Sequence, residues 1–130
     1  MRQDDGAAQQ VLARLVGEPL SAVRCTSVLE LTVGRRWSLT IEDEYTLTGP
    51  DGVLLDTADG QEPVIVAALG TAVEAPVTRA VVDERGGLAL GVAAGLLRVA
   101  PCARFESWNV VGPHGERVVS MPGGGLAVWS

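Results

Sequence analysis

The sequence predicts an α+β fold, in which antiparallel strands dominate a single domain and one or two helices cover their apolar face. Short stretches of alternating apolar and polar residues recur along the chain and are typical of half-buried strands. Turns rich in glycine and proline separate these stretches, and connections this short favour antiparallel hairpins. One segment near the N-terminus has apolar residues at helical spacing instead.

Length and composition fit one domain over residues 1–130. A chain of 130 residues can bury roughly two-thirds of the surface that it exposes when unfolded. Hydrophobic residues make up 47% and charged residues 20%, which excludes a disordered chain. Only 4% of the residues are aromatic, so the predicted core consists mostly of valine, leucine and alanine.

The first predicted element is a helix that ends before Pro19. Its apolar stripe consists of Ala8, Val11, Leu12, Leu15 and Val16. Asp4 or Asp5 is the predicted N-cap, and Gly17 is the predicted C-terminal cap.

The segment that begins near residue 59 fits a short helix or a strand. Asp59 and Glu62 resemble a capping box, Pro63 suits a first helical turn, and Gly70 can end the helix. The β-branched run 64–66 favours a strand. We expect a helix, because one precedes the strands in the first part of the chain.

The remaining apolar segments predict strands. They run over residues 20–25, 28–33, 37–41, 45–48 and 53–56, with a matching set between 77 and 129. The Gly-Pro turns at 49–52 and 112–115 separate them. The glycine triplet 123–125 is predicted to be a hairpin turn, because no helix follows it to hold a phosphate and the chain has no lysine for a P-loop.

The chain also reads as an internal repeat, with halves of roughly 1–60 and 61–130. Residues 45–52 and 108–115 share the order aromatic, polar, aliphatic, any, Gly, Pro, any, Gly. The segment 29–41 likewise resembles 88–99. We therefore expect two copies of one helix-plus-β-meander unit.

The same residues carry a family resemblance. Glu106-Ser-Trp108, Gly112-Pro-His-Gly115 and Val119-Ser-Met-Pro-Gly-Gly124, followed by Ala127-Val-Trp129, occur in this order. In this combination the chain resembles a family of small uncharacterised bacterial proteins, a domain of unknown function. The resemblance implies a soluble bacterial domain and supplies no catalytic residues.

Charge narrows the expected partners. The net charge is −6, and all ten basic residues are arginine. An acidic surface disfavours binding to nucleic acid and to anionic membranes and favours a basic protein partner. Neither a secretory signal nor a membrane-spanning apolar run is recognisable, so we expect a cytoplasmic protein whose Cys25 and Cys102 are reduced thiols.

Glu42, Asp43 and Glu44 form the sharpest charge run and are the predicted partner-binding residues. Carboxylates at consecutive positions do not converge on one point, so we expect no metal site here. As an exposed acidic turn they can attract a basic partner.

The other polar candidates are expected to be structural. His114 occupies a variable turn position, and Arg35 and Arg36 form a charged turn that could also bind an anion. Trp37 and Trp108 are predicted core residues, with Trp129 partly exposed; these three lie in strand patterns. The serines and cysteines lack a catalytic signature, so no catalytic residue and no cofactor are expected.

These observations favour a non-enzymatic protein-binding domain, with a toxin-neutralising immunity protein as its most concrete form. A small-molecule-binding protein or an enzyme with a site between the halves is an alternative, which a pocket joining His114 to Glu106 or Asp83 would favour. A structural or assembly subunit that pairs through an exposed edge strand is a third possibility. The oligomeric state stays open.

Overall fold

Two antiparallel sheets face each other, and each turns its apolar side chains inward. The structure, a computed structural model, describes the backbone of residues 2–129 and the side chains of residues 6–129. Within that range the strands are β1 (Leu20–Cys25), β2 (Leu29–Val33), β3 (Trp37–Ile41), β4 (Tyr45–Thr48), β5 (Leu54–Asp56), β6 (Arg79–Val82), β7 (Leu88–Val92), β8 (Gly95–Val99), β9 (Trp108–Val111), β10 (Arg117–Ser120) and β11 (Leu126–Trp129). One sheet has the order β1-β2-β3-β9-β10-β11 and the other has the order β5-β4-β8-β7-β6. The α+β prediction is confirmed.

Strict alternation makes this arrangement possible. In β2 the side chains of Leu29, Leu31 and Val33 are buried, while the residues between them are half-buried. The same alternation in β3 buries Trp37, Leu39 and Ile41. One face of each sheet thus packs in the core and the other lies at the surface, as expected of an antiparallel sandwich.

The predicted environments of the tryptophans are confirmed. Trp108 is fully buried and Trp37 is 8% exposed. Trp129 is 53% exposed and carries the Arg117 guanidinium over its ring at 5.7 Å.

Two helices close the open sides of the sandwich. The first, α1 (Arg2–Leu12), continues into a 3₁₀ turn (Ala13–Leu15) and contacts the edge strands β6 and β11. The second, α2 (Glu62–Thr71), contacts the edge strands β1 and β5. The predicted α1 stripe is buried except for Val16, which is 46% exposed because its backbone is already extended.

The predicted helix ends are partly wrong. The first helix begins at Arg2, so Asp4 and Asp5 lie inside it rather than at its N-cap. At α2 the N-cap residue is Gln61, which makes no side-chain capping bond. Asp59 instead belongs to a preceding 3₁₀ turn, in which the Ala58 N–H donates to the Asp56 carboxylate at 2.9 Å. Because Gly70 lies inside α2, it does not end the helix.

The two parts of the chain exchange strands. The meander β1-β2-β3 continues into β9 and β10, and the meander β6-β7-β8 continues into β4 and β5. The register of the two exchanged pairings corresponds as well. Leu39 of β3 pairs with Val110 of β9, and at the corresponding position Leu97 of β8 pairs with Leu47 of β4. Corresponding strands therefore have the same pairing order in both parts, while the duplication itself stays a prediction.

The links before β1 and β6 meet where the two parts join. Leu20 N–H donates to the Ala75 carbonyl at 2.9 Å, and Val77 N–H donates to the Glu18 carbonyl at 2.8 Å. Pro19 and Pro76 form an isolated β-bridge between these bonds. The reciprocal bonds match residues 18–20 with residues 75–77.

Antiparallel order sorts the connections into two ends of the sandwich. The end that carries the connections 34–36, 49–53, 93–94 and 112–116 is called the arginine end here. The opposite end, with the connections 42–44, 57–61, 83–87, 100–107 and 121–125, is called the acidic end. The glycine triplet 123–125 joins β10 to β11, which confirms the predicted hairpin turn.

Over the described range, no helix combines the length and the hydrophobicity that a membrane crossing requires.

Candidate functional site

A cleft opens at the arginine end, between the β2–β3 turn and the β9–β10 turn. Its volume is about 590 Å³, within the range of pockets that hold small organic ligands. The lining residues are Glu18, Pro19, Ser21, Gly34, Arg35, Arg36, Trp37, Pro113 and His114. The cleft thus combines residues that are distant in the sequence.

Positive charge dominates the rim. Arg35, Arg36 and His114 are exposed. Among the side chains that the structure describes, neither arginine has a carboxylate within ion-pairing distance. The Glu18 carboxylate lies against Gly34, since a Cβ added at Gly34 would be 2.6 Å from Oε1 of Glu18. The rim can therefore donate several charged hydrogen bonds to an anion, beside one carboxylate of opposite sign.

Trp37 and Pro113 form the apolar part of the cleft. Trp37 is buried except for 8% of its surface, and its ring packs under Gly112. A Cβ at Gly112 would lie 2.8 Å from Cζ3 of Trp37, so only glycine fits there without displacement of the ring. The close packing holds the indole and the β9–β10 turn together.

Glu116 anchors this turn from below. Its carboxylate is buried and accepts a hydrogen bond from the His114 N–H at 2.7 Å and from the Arg14 guanidinium at 2.9 Å. Hydrogen bonds from its own N–H, from the His114 N–H and from the Arg14 guanidinium, together with the charge of His114, lower the pKa of Glu116 against the opposing effect of burial. An ionised Glu116 therefore fixes the position of His114 in the cleft wall.

We expect Glu116 to make stability depend on acid pH. A lowered folded-state pKa means that its stabilisation is present above the ordinary glutamate pKa and is lost as pH falls through the folded-state value. Glu116→Gln should therefore lower the Tm at about pH 7, and the difference from the parent should shrink towards about pH 3. Thermal melts of both proteins over this pH series provide the measurement. A Tm difference that is constant with pH would show that ionisation of Glu116 has no part in it.

The predicted partner-binding residues lie at the acidic end, away from the cleft. Glu42, Asp43 and Glu44 connect β3 in one sheet to β4 in the other. Glu42 and Glu44 are exposed and Asp43 is half-buried. The Glu42 N–H donates to the Ser107 carbonyl at 2.8 Å, which fixes the start of the connection.

Further carboxylates adjoin this segment. Glu44 lines a shallow groove together with Asp56 and Arg98. The neighbouring turn also exposes Asp59. The groove is therefore lined by two carboxylates, those of Glu44 and Asp56, and by one cation, Arg98.

Glu62 serves a structural purpose at the same end. It accepts a hydrogen bond from the Tyr45 hydroxyl at 2.7 Å. Burial raises the pKa of the Tyr45 hydroxyl and that of the Cys25 thiol. The Glu62 carboxylate raises both pKa values further through its hydrogen bond and its negative charge. A raised thiol pKa disfavours the thiolate, so Cys25 is poorly suited to act as a nucleophile.

The structure assembles some sequence candidates and separates others. Arg35, Arg36 and His114 line one cleft. In the sequence, anion binding was an alternative for the two arginines, and His114 was expected to be a turn residue. His114 and the pair Glu106 and Asp83 lie at opposite ends of the sandwich, so the proposed pocket joining them does not form.

Sequence reasoning missed Glu18, Ser21 and Glu116. Glu116 could have been identified from the sequence, because it lies two residues before Val118 and four before Ser120. Residues at this spacing share one face of a strand, and here that face is buried. No local pattern points to Glu18 or Ser21, which reach the cleft only through the fold.

Over residues 6–129, no group of three or more metal-ligating side chains is close enough to hold an ion. Cys25 and Cys102 are both free thiols in the structure.

A search of curated proteins and a search of solved structures give no match to this chain. The model of a family of unknown function, DUF6188, matches residues 11–130. The match covers all of the strands and both meanders. The chain therefore belongs to the DUF6188 family of unknown function.

Proposed function

We propose that this chain is a non-enzymatic cytosolic domain that binds a basic protein through its acidic end. The observation that carries the proposal is the concentration of exposed carboxylates there. Glu44 and Asp56 line one groove, and Glu42 and Asp59 are exposed on the connections 42–44 and 57–61. An excess of carboxylates at one end of the domain attracts a cationic partner over a distance comparable to the Debye length.

The acidic end is also held in place, which favours recognition over transient attraction. The Glu42 N–H bond to Ser107 fixes one side of the segment, and Tyr45 N–H donates to Thr57 Oγ1 at 3.0 Å on the other. A binding segment whose backbone is already fixed loses less conformational freedom on binding. A binding surface of this kind requires little rearrangement of the domain.

Neutralisation of a toxin is the most concrete form of this function. A toxin that acts on nucleic acid carries a basic surface for phosphate backbones. An acidic domain can occupy the same surface and block access to it. A binding role of this kind uses charge and shape and requires no catalytic residue.

The test removes the charge of the acidic segment and keeps its shape. In the triple variant Glu42→Gln, Asp43→Asn, Glu44→Gln we expect the association rate with a captured basic partner to fall about 10-fold or more at about 50 mM salt. The rate of the variant should also depend less on salt. Exposed turn carboxylates contribute little to stability, so the Tm should change little.

The matched control is Glu30→Gln, Asp51→Asn, Glu74→Gln, which removes the same charge elsewhere on the surface. Partners are captured on the parent and on both variants, and association is then measured by surface plasmon resonance over a salt series. The proposal requires a partner that the control retains and the acidic variant loses. Equal losses in both variants would reduce the effect to net charge, and an unchanged association rate at low salt would overturn the proposal.

A further inference from the structure

We propose that the cleft at the arginine end binds a small organic anion. Its phosphate or carboxylate group would lie between Arg35 and Arg36, and its planar body would lie against Trp37 and Pro113. The site is separate from the acidic end, so it neither requires the proposed protein-binding function nor supports it.

The correspondence between the two parts of the chain provides an internal comparison. The turn that corresponds to Gly34-Arg35-Arg36 is the β7–β8 turn, which contains Ala93 and Ala94. Trp37 is the first residue of β3 and pairs with Val33. At the corresponding position, Gly95 is the first residue of β8 and pairs with Val92. The strand pairing is therefore satisfied without arginine or tryptophan at these positions.

Other cleft positions differ in the same direction. Where the β9–β10 turn has His114, the β4–β5 turn has Asp51. In the links before β1 and β6, the carbonyl groups of Glu18 and Ala75 accept equivalent hydrogen bonds. Glu18 therefore corresponds to Ala75. One end of the scaffold thus carries two arginines and a histidine that the strand pairing does not demand, which points to a ligand.

Two adjacent arginines also repel each other unless an anion lies near. Both are exposed, and neither is paired with a described carboxylate in the structure. A guanidinium presents several N–H donors in a fixed plane, which suits a phosphate or a carboxylate in a bidentate arrangement. The pair is therefore better suited to an oxyanion than to a neutral ligand.

The cleft walls narrow the ligand class further. The Ser21 hydroxyl already donates its one hydrogen to the Gly34 carbonyl, with the Pro19 carbonyl as a longer alternative acceptor at 3.3 Å, so this hydroxyl shapes the turn. The Glu18 carboxylate repels a second anionic group near Gly34, which disfavours polyphosphates and nucleic acid. An aryl phosphate or an aryl carboxylate, with one anionic group on one ring, fits the volume and the charge.

The probes are phenyl phosphate, benzoate, inorganic phosphate and benzylamine, titrated into the isotopically labelled protein. We expect phenyl phosphate or benzoate to bind with a Kd below about 1 mM and to shift the amide signals of residues 34–37 and 114–115. Inorganic phosphate should bind more weakly because it lacks a ring, and benzylamine should not bind. Arg35→Gln, Arg36→Gln should weaken binding at least about 10-fold.

The control variant is Arg85→Gln, Arg104→Gln, which removes two exposed arginines at the acidic end. It should bind as the parent does, and the spectra of both variants should show an intact fold. Absence of saturable binding, binding that survives Arg35→Gln, Arg36→Gln, or an equal loss in the control would overturn the proposal. Equal affinity for phenyl phosphate and inorganic phosphate, or binding of benzylamine, would overturn the assigned ligand class.

Discussion

Replacement of Gly86 by alanine is expected to lower the free energy of unfolding by about 3–5 kcal/mol. Gly86 has a φ of +88°, a conformation that side chains rarely adopt. The added Cβ would also contact the Gly124 carbonyl, with its carbon at 2.9 Å. The carbonyl oxygen and carbon of Gly124 are backbone atoms, so the β10–β11 turn would have to move. The Gly86 carbonyl, which accepts from Trp108 Nε1, would move with it.

Gly115→Ala is the matched control. Gly115 also has a φ of +88°, but nothing lies within 4 Å of its added Cβ. We expect it to lose only the backbone strain energy of about 1–2 kcal/mol. Urea unfolding of the three proteins compares them directly. Equal losses would show that backbone conformation alone, without the contact to Gly124, accounts for the effect.

Trp108→Ala is expected to lower the free energy of unfolding by about 3–5 kcal/mol. Trp108 is fully buried, and its Nε1 donates to the Gly86 carbonyl at 3.0 Å. Alanine would leave a large cavity between the sheets and remove this bond. Trp129→Ala is the control of equal chemistry at a residue that is 53% exposed, and its loss should stay below about 1 kcal/mol. Similar losses at both sites would contradict the assigned core.

Trp108→Phe separates the hydrogen bond from the volume. Phenylalanine keeps most of the apolar contact and removes the N–H donor, so we expect a loss of about 1–2 kcal/mol. The Gly86 carbonyl retains a long contact to the Ser120 hydroxyl at 3.5 Å. A loss equal to that of Trp108→Ala would show that the hydrogen bond, and not the filled volume, dominates.

Local pattern predicted the strands well. The bounds of β1, β3 and β4 agree with the predicted segments, because alternation and turn residues both lie within a few positions of each strand. The helix ends were less accurate. Asp59 looked like a capping residue in the sequence, but Asp56 forms a competing turn just before the helix.

The cleft could not be predicted in the same way. Arg35 and His114 belong to different parts of the chain and meet only because β3 pairs with β9. Alternation gives the face of each side chain but not the order of strands in a sheet. The acidic segment, in contrast, is contiguous in the sequence, so its exposure could be predicted without knowledge of the topology.

The exchange of strands between the two parts has a consequence for synthesis on the ribosome. When β1–β5 have emerged, β3 still lacks its partner β9 and β4 still lacks its partner β8. Until then the nascent chain presents open strand edges, and pairing with another nascent chain competes with correct folding. We therefore expect the central pairings of both sheets to form only after β8 and β9 have left the exit tunnel.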